Sequence, residues 1–135
     1  MGYTHYWRQS RDFTAAEWKK ICTGARAVVK AYRSVLCFEY DQEGKAPEVS
    51  AEAIQFNGKG DDGHETFILT RKMGACYNGE AEAFNFCKTA EKPYDAAVVA
   101  VLMVAKKAAP NALRLRSDGG SEIFAEYGDK YGDRW

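Results

Sequence analysis

The residue order predicts an α+β domain of two layers, a small antiparallel sheet packed against two main helices. Three observations predict it. Positions 14–36 repeat apolar side chains at three- and four-residue spacing, as an amphipathic helix does. Positions 94–107, "YDAAVVAVLMVAKK", are apolar on nearly every side, as a central buried helix is. Around these, short segments alternate apolar and polar residues in the period of a strand.

The first element is "GYTHYWR" (2–8). Its alternation reads as a strand with Tyr3, His5 and Trp7 on one face and Thr4 and Tyr6 on the other. Thr14 and Glu17 then form a capping box, with Phe13 and Trp18 at the staple positions. The stripe behind them runs through Ile21, Cys22, Ala25, Val28, Val29 and Tyr32 to Leu36, a helix of about five or six turns. "DQEGKAPE" (41–48) is a polar connector. Ile54 and Phe56, then Phe67 and Leu69, mark two strands of a hairpin whose loop, "NGKGDDG", is longer than a tight turn needs. "RKMGACYNGEAEA" (71–83) has no period and reads as loop. Pro93 suits the first turn of the second helix, and Pro110 with Asn111 ends it. "LRLRS" (113–117) alternates again, Leu113 and Leu115 inward, Arg114 and Arg116 outward. "SEIFAEY" (121–127) reads as a short helix capped by Ser121.

At 135 residues without internal repeats, the chain reads as one domain, 1–135. Its 19 basic and 19 acidic side chains cancel, which disfavours general nucleic-acid binding, because a duplex partner needs an excess of cations; a local basic patch stays open. The longest apolar run, 96–105, is too short to span a bilayer, so no membrane partner is expected. The N-terminus shows no basic segment followed by an apolar run, hence no signal peptide, and a cytoplasmic location is expected. Cys22, Cys37, Cys76 and Cys87 lack C-x-x-C or zinc spacing and read as free thiols.

Four clusters carry polar or aromatic chemistry. His5, Tyr6 and Trp7 present flat rings with polar tips that stack on a base or sugar. Asn57, Asp62, His64 and Thr66 surround the hairpin loop, where hairpin chemistry alone also accounts for "DDG". Lys88, Thr89 and Tyr94 precede a helix whose free N–H groups favour an anion. Arg116 and Asp118 end the last strand. His64 and Thr66 form a single H-x-T, whereas two-histidine phosphoesterases need two, one acting as base and one as acid. Asp61, Asp62, His64 and Glu65 lack the spacing of a calcium loop, and neighbouring strand residues point to opposite faces; no metal or other cofactor is expected. Cys87 reads as core, not nucleophile, for want of a base beside it.

"GYTHYW" (2–7), "FNG…DDGHETF" (56–67) and "FCKTAEKPYDAAVVAVL" (86–102) resemble an uncharacterised family of small phage and bacterial proteins. The resemblance covers most of the chain up to "RLRSDG", with 36–50 and the tail loosely matched. It implies a single cytosolic domain, in the bacterial host's cytoplasm if phage-encoded. Small phage proteins of this type often antagonise host defence, by sequestering a nucleotide signal, degrading one, or blocking a protein complex.

The expected function is therefore non-catalytic binding and sequestration of a small nucleotide-derived ligand, with His5, Tyr6, Trp7, Asn57, Asp62, His64, Thr66, Lys88, Thr89, Tyr94, Arg116 and Asp118 as its site. No catalytic residue is assigned. The alternatives are a metal- or histidine-dependent phosphoester hydrolase, with His64 or His5 as base, and an inhibitor acting by protein contact. Self-association into a homo-oligomer is left open.

Overall fold

The computed structural model describes residues 3–120; the helix expected at 121–127 lies outside them. Along the described chain run β1 (Thr4–Gln9), α1 (Ala15–Ala31), β2 (Leu36–Cys37), β3 (Glu48–Val49), β4 (Ala53–Gly58), β5 (Phe67–Thr70), β6 (Ala83–Lys88), α2 (Asp95–Ala108) and β7 (Leu113–Ser117). This is an α+β domain with antiparallel strands packed against two helices. The strands form two small sheets. One has the order β6-β1-β7; in the other, β4 pairs with β2, β3 and β5.

The capping box forms as its spacing requires. Glu17 N donates to Thr14 Oγ1 at 3.1 Å and Thr14 N donates to Glu17 Oε1 at 2.8 Å, so two helix-end donors are satisfied reciprocally. The helix ends at Ala31, short of Leu36. Tyr32 N makes the closing bond to Val28 O, and Leu36 instead pairs with Gly58 in β2. A four-residue step from Tyr32 to Leu36 fits a helical stripe, but the same step also delivers Leu36 into the core after a turn.

The hairpin of β4 and β5 has Ile54 opposite Leu69 and Phe56 opposite Phe67, so all four face inward together. They join Trp7, Cys87 and Leu113 from the other sheet, and the buried faces of α1 and α2, in one core. α2 is buried without interruption from Ala97 to Leu102 and again at Val104 and Ala105, which is why its sequence shows no polar stripe.

β6 begins at the last residue of the segment expected as loop, 71–83, and fills a stretch before Pro93 to which the sequence assigned no element. Its alternation is inverted: Ala83 and Cys87 point inward, while Phe84 and Phe86 point to solvent. A pattern rule that seeks large apolar residues on the buried face passes over it. β6 and β7 are both antiparallel to β1 and therefore parallel to each other. With α2 between them they make a split β-α-β unit, β1 being the inserted strand.

Candidate functional site

The polar hairpin loop is built around one side chain. Asn57, 1% exposed, accepts from Gly58 N at 2.7 Å and His64 N at 3.1 Å through Oδ1. Its Nδ2 donates to His64 O at 3.0 Å and Thr66 Oγ1 at 3.1 Å. Two donors and two acceptor directions are thus engaged, the working capacity of an amide. The glycines at its flanks are required by close approach. A Cβ on Gly58 would lie 2.2 Å from Asp62 O, and one on Gly63 would lie 2.3 Å from Asn57 Oδ1. The expectation that Asn57 and Thr66 offer hydrogen bonds to a ligand is corrected accordingly: the loop holds itself closed with them. His64, exposed, remains at its rim.

The second cluster forms beneath β1. His5 is wholly buried, and its Nε2 lies 2.6 Å from Asp95 Oδ1. A carboxylate only accepts, so Nε2 donates to Asp95, and Nδ1 lies within hydrogen-bond distance of Ser117 Oγ at 2.8 Å. Thr89, also buried, donates its hydroxyl to the same Asp95 oxygen. The line Ser117–His5–Asp95–Thr89 ties β7, β1 and the start of α2 together. Of the expected site residues this line joins His5 and Thr89; Arg116, next to Ser117 on β7, faces the other side of the sheet. The hairpin cluster joins that line through Tyr94, whose N donates to Asp62 O at 3.1 Å and whose hydroxyl donates to Glu65 O at 2.6 Å.

The phosphate cradle expected at the second helix is corrected by the same contacts. Tyr94 N is used by Asp62 O, Asp95 N by Lys92 O, and Ala97 N and Val98 N by Tyr94 O. The positive end of α2 is met by the carboxylate of Asp95 on its first turn, which leaves little field for an added anion. Tyr94 is fully buried, with its phenol pushed above the ordinary tyrosine range by desolvation, and presents nothing to an external ligand. Cys87 is likewise core, its thiol pushed up to about 12 by burial. Trp7, 2% exposed, packs its ring 5.3 Å from that of Phe67; as a stacking surface for a ligand it is withdrawn.

Tyr6, Lys88, Arg116 and Asp118 lie elsewhere, on or beside the open face of the β6-β1-β7 sheet. Register sets its rows: Phe86, Tyr6 and Arg116 lie abreast, and Phe84, Arg8 and Arg114 form the next row. Phe84 is 39% exposed and Phe86 48%. The Tyr6 and Phe84 rings stand 6.0 Å apart and nearly parallel, and the Phe84 and Phe86 rings are also 6.0 Å apart. Arg8 Cζ lies 4.8 Å over the Phe84 ring, and its Nη1 is 2.9 Å from Glu80 Oε2. Lys88 Nζ stands 5.9 Å over Phe86. Asp118 accepts from Thr4 N at 3.0 Å and from the Tyr6 hydroxyl at 3.3 Å, which orients that ring. The solvated face of an antiparallel sheet is ordinarily polar, so a rank of aromatic rings set among cations requires an account.

Phe84, Phe86 and Arg8 were not among the residues expected from sequence. The "FNF" at 84–86 was the available signal, readable only as a strand turned inside out. Clefts on the described surface, one lined by Ala51, Glu52, Thr70, Arg71 and Lys72 and another by Arg8, Glu80, Ala81, Glu82 and Arg114, contain none of the expected ligand residues. Among the described residues no three His, Cys, Asp or Glu side chains gather as a metal site, and Glu65 accepts from Lys88 N at 2.8 Å. No helix of the described residues is long and apolar enough to cross a membrane. No protein-family model, curated protein or solved structure matches the chain.

Proposed function

We propose that the protein binds a small nucleotide-derived ligand and holds it without chemistry, on the open face of the β6-β1-β7 sheet. The observation that carries this is the solvent-facing set Tyr6, Phe84 and Phe86, with ring centroids 6.0 Å apart along Tyr6–Phe84–Phe86 and the cations Lys88 and Arg116 beside them. Aromatic rings accept a base on their π-faces whatever its identity, and nearby cations favour its phosphate. Of the residues expected from sequence, Tyr6, Lys88 and Arg116 take direct roles here, and Asp118 positions Tyr6. His5 and Thr89 support the sheet from beneath. In keeping with the resemblance to small phage and bacterial proteins, removing a free nucleotide signal from the host is the biological role this binding would serve.

One observation favours a hydrolytic alternative, the hydrogen-bonded line of Ser117, His5 and Asp95. Acyl or phosphoryl transfer also needs donors aimed at the developing negative charge. The Gly119 N–H beside Ser117 is already donated to Oγ itself at 3.0 Å. The binding reading is therefore preferred.

The test is equilibrium binding of ribonucleotides to the native chain, followed by recovery and chromatography of the ligand. We expect binding with the ligand recovered intact, and a Phe84→Ala/Phe86→Ala double variant that keeps its unfolding midpoint but loses about 1–3 kcal/mol of binding per stacked base. Conversion of the ligand would favour hydrolysis. Absence of binding to any nucleotide would remove the proposal.

A further inference from the structure

We infer that the open sheet face takes a ligand of two bases joined by a phosphodiester, one base on Phe86 and the next on the Phe84–Tyr6 pair, its phosphates facing Lys88 and Arg116. This rests on the proposed nucleotide binding and names the chemical class of its ligand.

The rings are laid out for more than one base. Phe84 and Phe86 are two residues apart on one strand and both project to solvent, with centroids 6.0 Å apart. That separation exceeds the roughly 3.4 Å between bases of a continuous stack, so two bases seated on these rings are splayed, as in an unpaired strand. Tyr6 extends the second seat, lying 6.0 Å from Phe84 with an interplanar angle of 26°. A single base covers one seat and leaves the other ring with only its own cation, Arg8 at Phe84 or Lys88 at Phe86. A duplex is excluded by shape: it offers base edges in grooves, whereas this flat face offers ring faces to ring faces.

Charge sets the length. Two of the four cations on the face are already paired, Arg8 with Glu80 and Arg114 with Glu82. Lys88 and Arg116 form no ion pair among the described residues, and they flank the Phe86–Tyr6 row. Asp118 is the acid nearest that row, and it is held by the Thr4 N–H and the Tyr6 hydroxyl. Two such cations match one or two phosphates, which is what two joined nucleotides carry.

The experiment is titration of the native chain with uridine monophosphate, linear uridylyl-uridine, a cyclic dinucleotide and a ten-nucleotide oligothymidylate. A two-base ligand is expected to bind about tenfold or more tightly than the mononucleotide, in line with one further stacked base. Phe84→Ala should bring the two-base ligand down to the level of the mononucleotide while leaving the mononucleotide nearly unchanged. The logarithmic salt slope should not exceed roughly −1.4, the release expected from two phosphate contacts on a single strand. The free dinucleotides are expected to bind at least as tightly as the oligothymidylate; a strand that binds more tightly than both would overturn the inference of a free two-base ligand.

If the mononucleotide binds as tightly as every two-base ligand, this inference fails while the proposed nucleotide binding stands. If no nucleotide binds, both fail. A Phe86→Leu variant that binds as tightly as the parent would also sink it, since leucine keeps apolar area but has no ring to stack. The unfolding midpoint of each variant serves as the control; these side chains are solvent-facing, and the variants are expected to fold.

Discussion

Replacing Asn57 by alanine tests whether the polar loop is a self-contained staple or a ligand contact. The change removes four hydrogen bonds at one buried position, to Gly58 N, His64 N, His64 O and Thr66 Oγ1. Each bond contributes a net of about 0.5–1.5 kcal/mol, and an unsatisfied buried group costs about 1–3 kcal/mol. The Gly58 N–H is in a buried strand end, whereas the His64 groups lie beside an exposed side chain, where water can replace the amide. We therefore expect a loss of about 3 kcal/mol, below the sum of all four. An unfolding entropy of about 2.1 cal/mol/K per residue over 135 residues makes 1 kcal/mol worth about 3.5 °C, so the melting midpoint should fall by about 10 °C. Asn57→Asp keeps both accepted bonds but sets a buried carboxylate oxygen against His64 O, and should cost at least as much as the alanine change. The assay is urea and thermal unfolding of the three proteins, with nucleotide binding measured below the transition. If Asn57→Ala unfolds within about 0.5 kcal/mol of the parent, the staple is wrong. If it does so while losing binding, Asn57 is a ligand contact after all.

Asp95→Ala should destabilise by about 2–4 kcal/mol in urea unfolding, because it removes the carboxylate to which the buried His5 Nε2 and the Thr89 hydroxyl both donate. Thr14→Ala should cost about 1 kcal/mol through the lost cap, measured the same way. The Arg11 guanidinium, then the Thr14 N–H, holds the Glu17 carboxyl at about 2, below its ordinary value. A depressed acid contributes stability that is complete above about pH 4.5 and is lost as pH falls toward 2; Glu17→Gln should flatten the acid limb of the stability curve, and an unchanged limb would refute this. Ellman's reagent should titrate one thiol in the native protein and four in denaturant: Cys76 is exposed, while Cys22, Cys37 and Cys87 are buried with thiols pushed up by desolvation.

The elements that depend on neighbouring residues were legible in the order of amino acids. The capping box, the stripe from Trp18 to Val28, the apolar body of α2, the alternation of the two hairpin strands and that of Leu113 to Arg116 all follow from spacings of two to four residues, and each appears as read. The positions that depend on distant partners were decided only in three dimensions. Leu36 left the helix because Gly58 offered it a strand partner. Asn57, Tyr94 and Trp7 look like site residues in a linear reading because polarity and aromaticity are local properties. Whether they face a ligand or the interior depends on what folds against them, and here a loop, a helix start and Phe67 do. The converse holds for Phe84 and Phe86. An apolar side chain in sequence implies burial, but β6 pairs with β1 in the one register that directs Cys87 toward His5 and turns both rings outward. Strand facing has a period of two, so a shift of one residue would have hidden the rings and exposed the cysteine; the choice was made by the pairing of residues some eighty positions apart, which no short window of the chain contains.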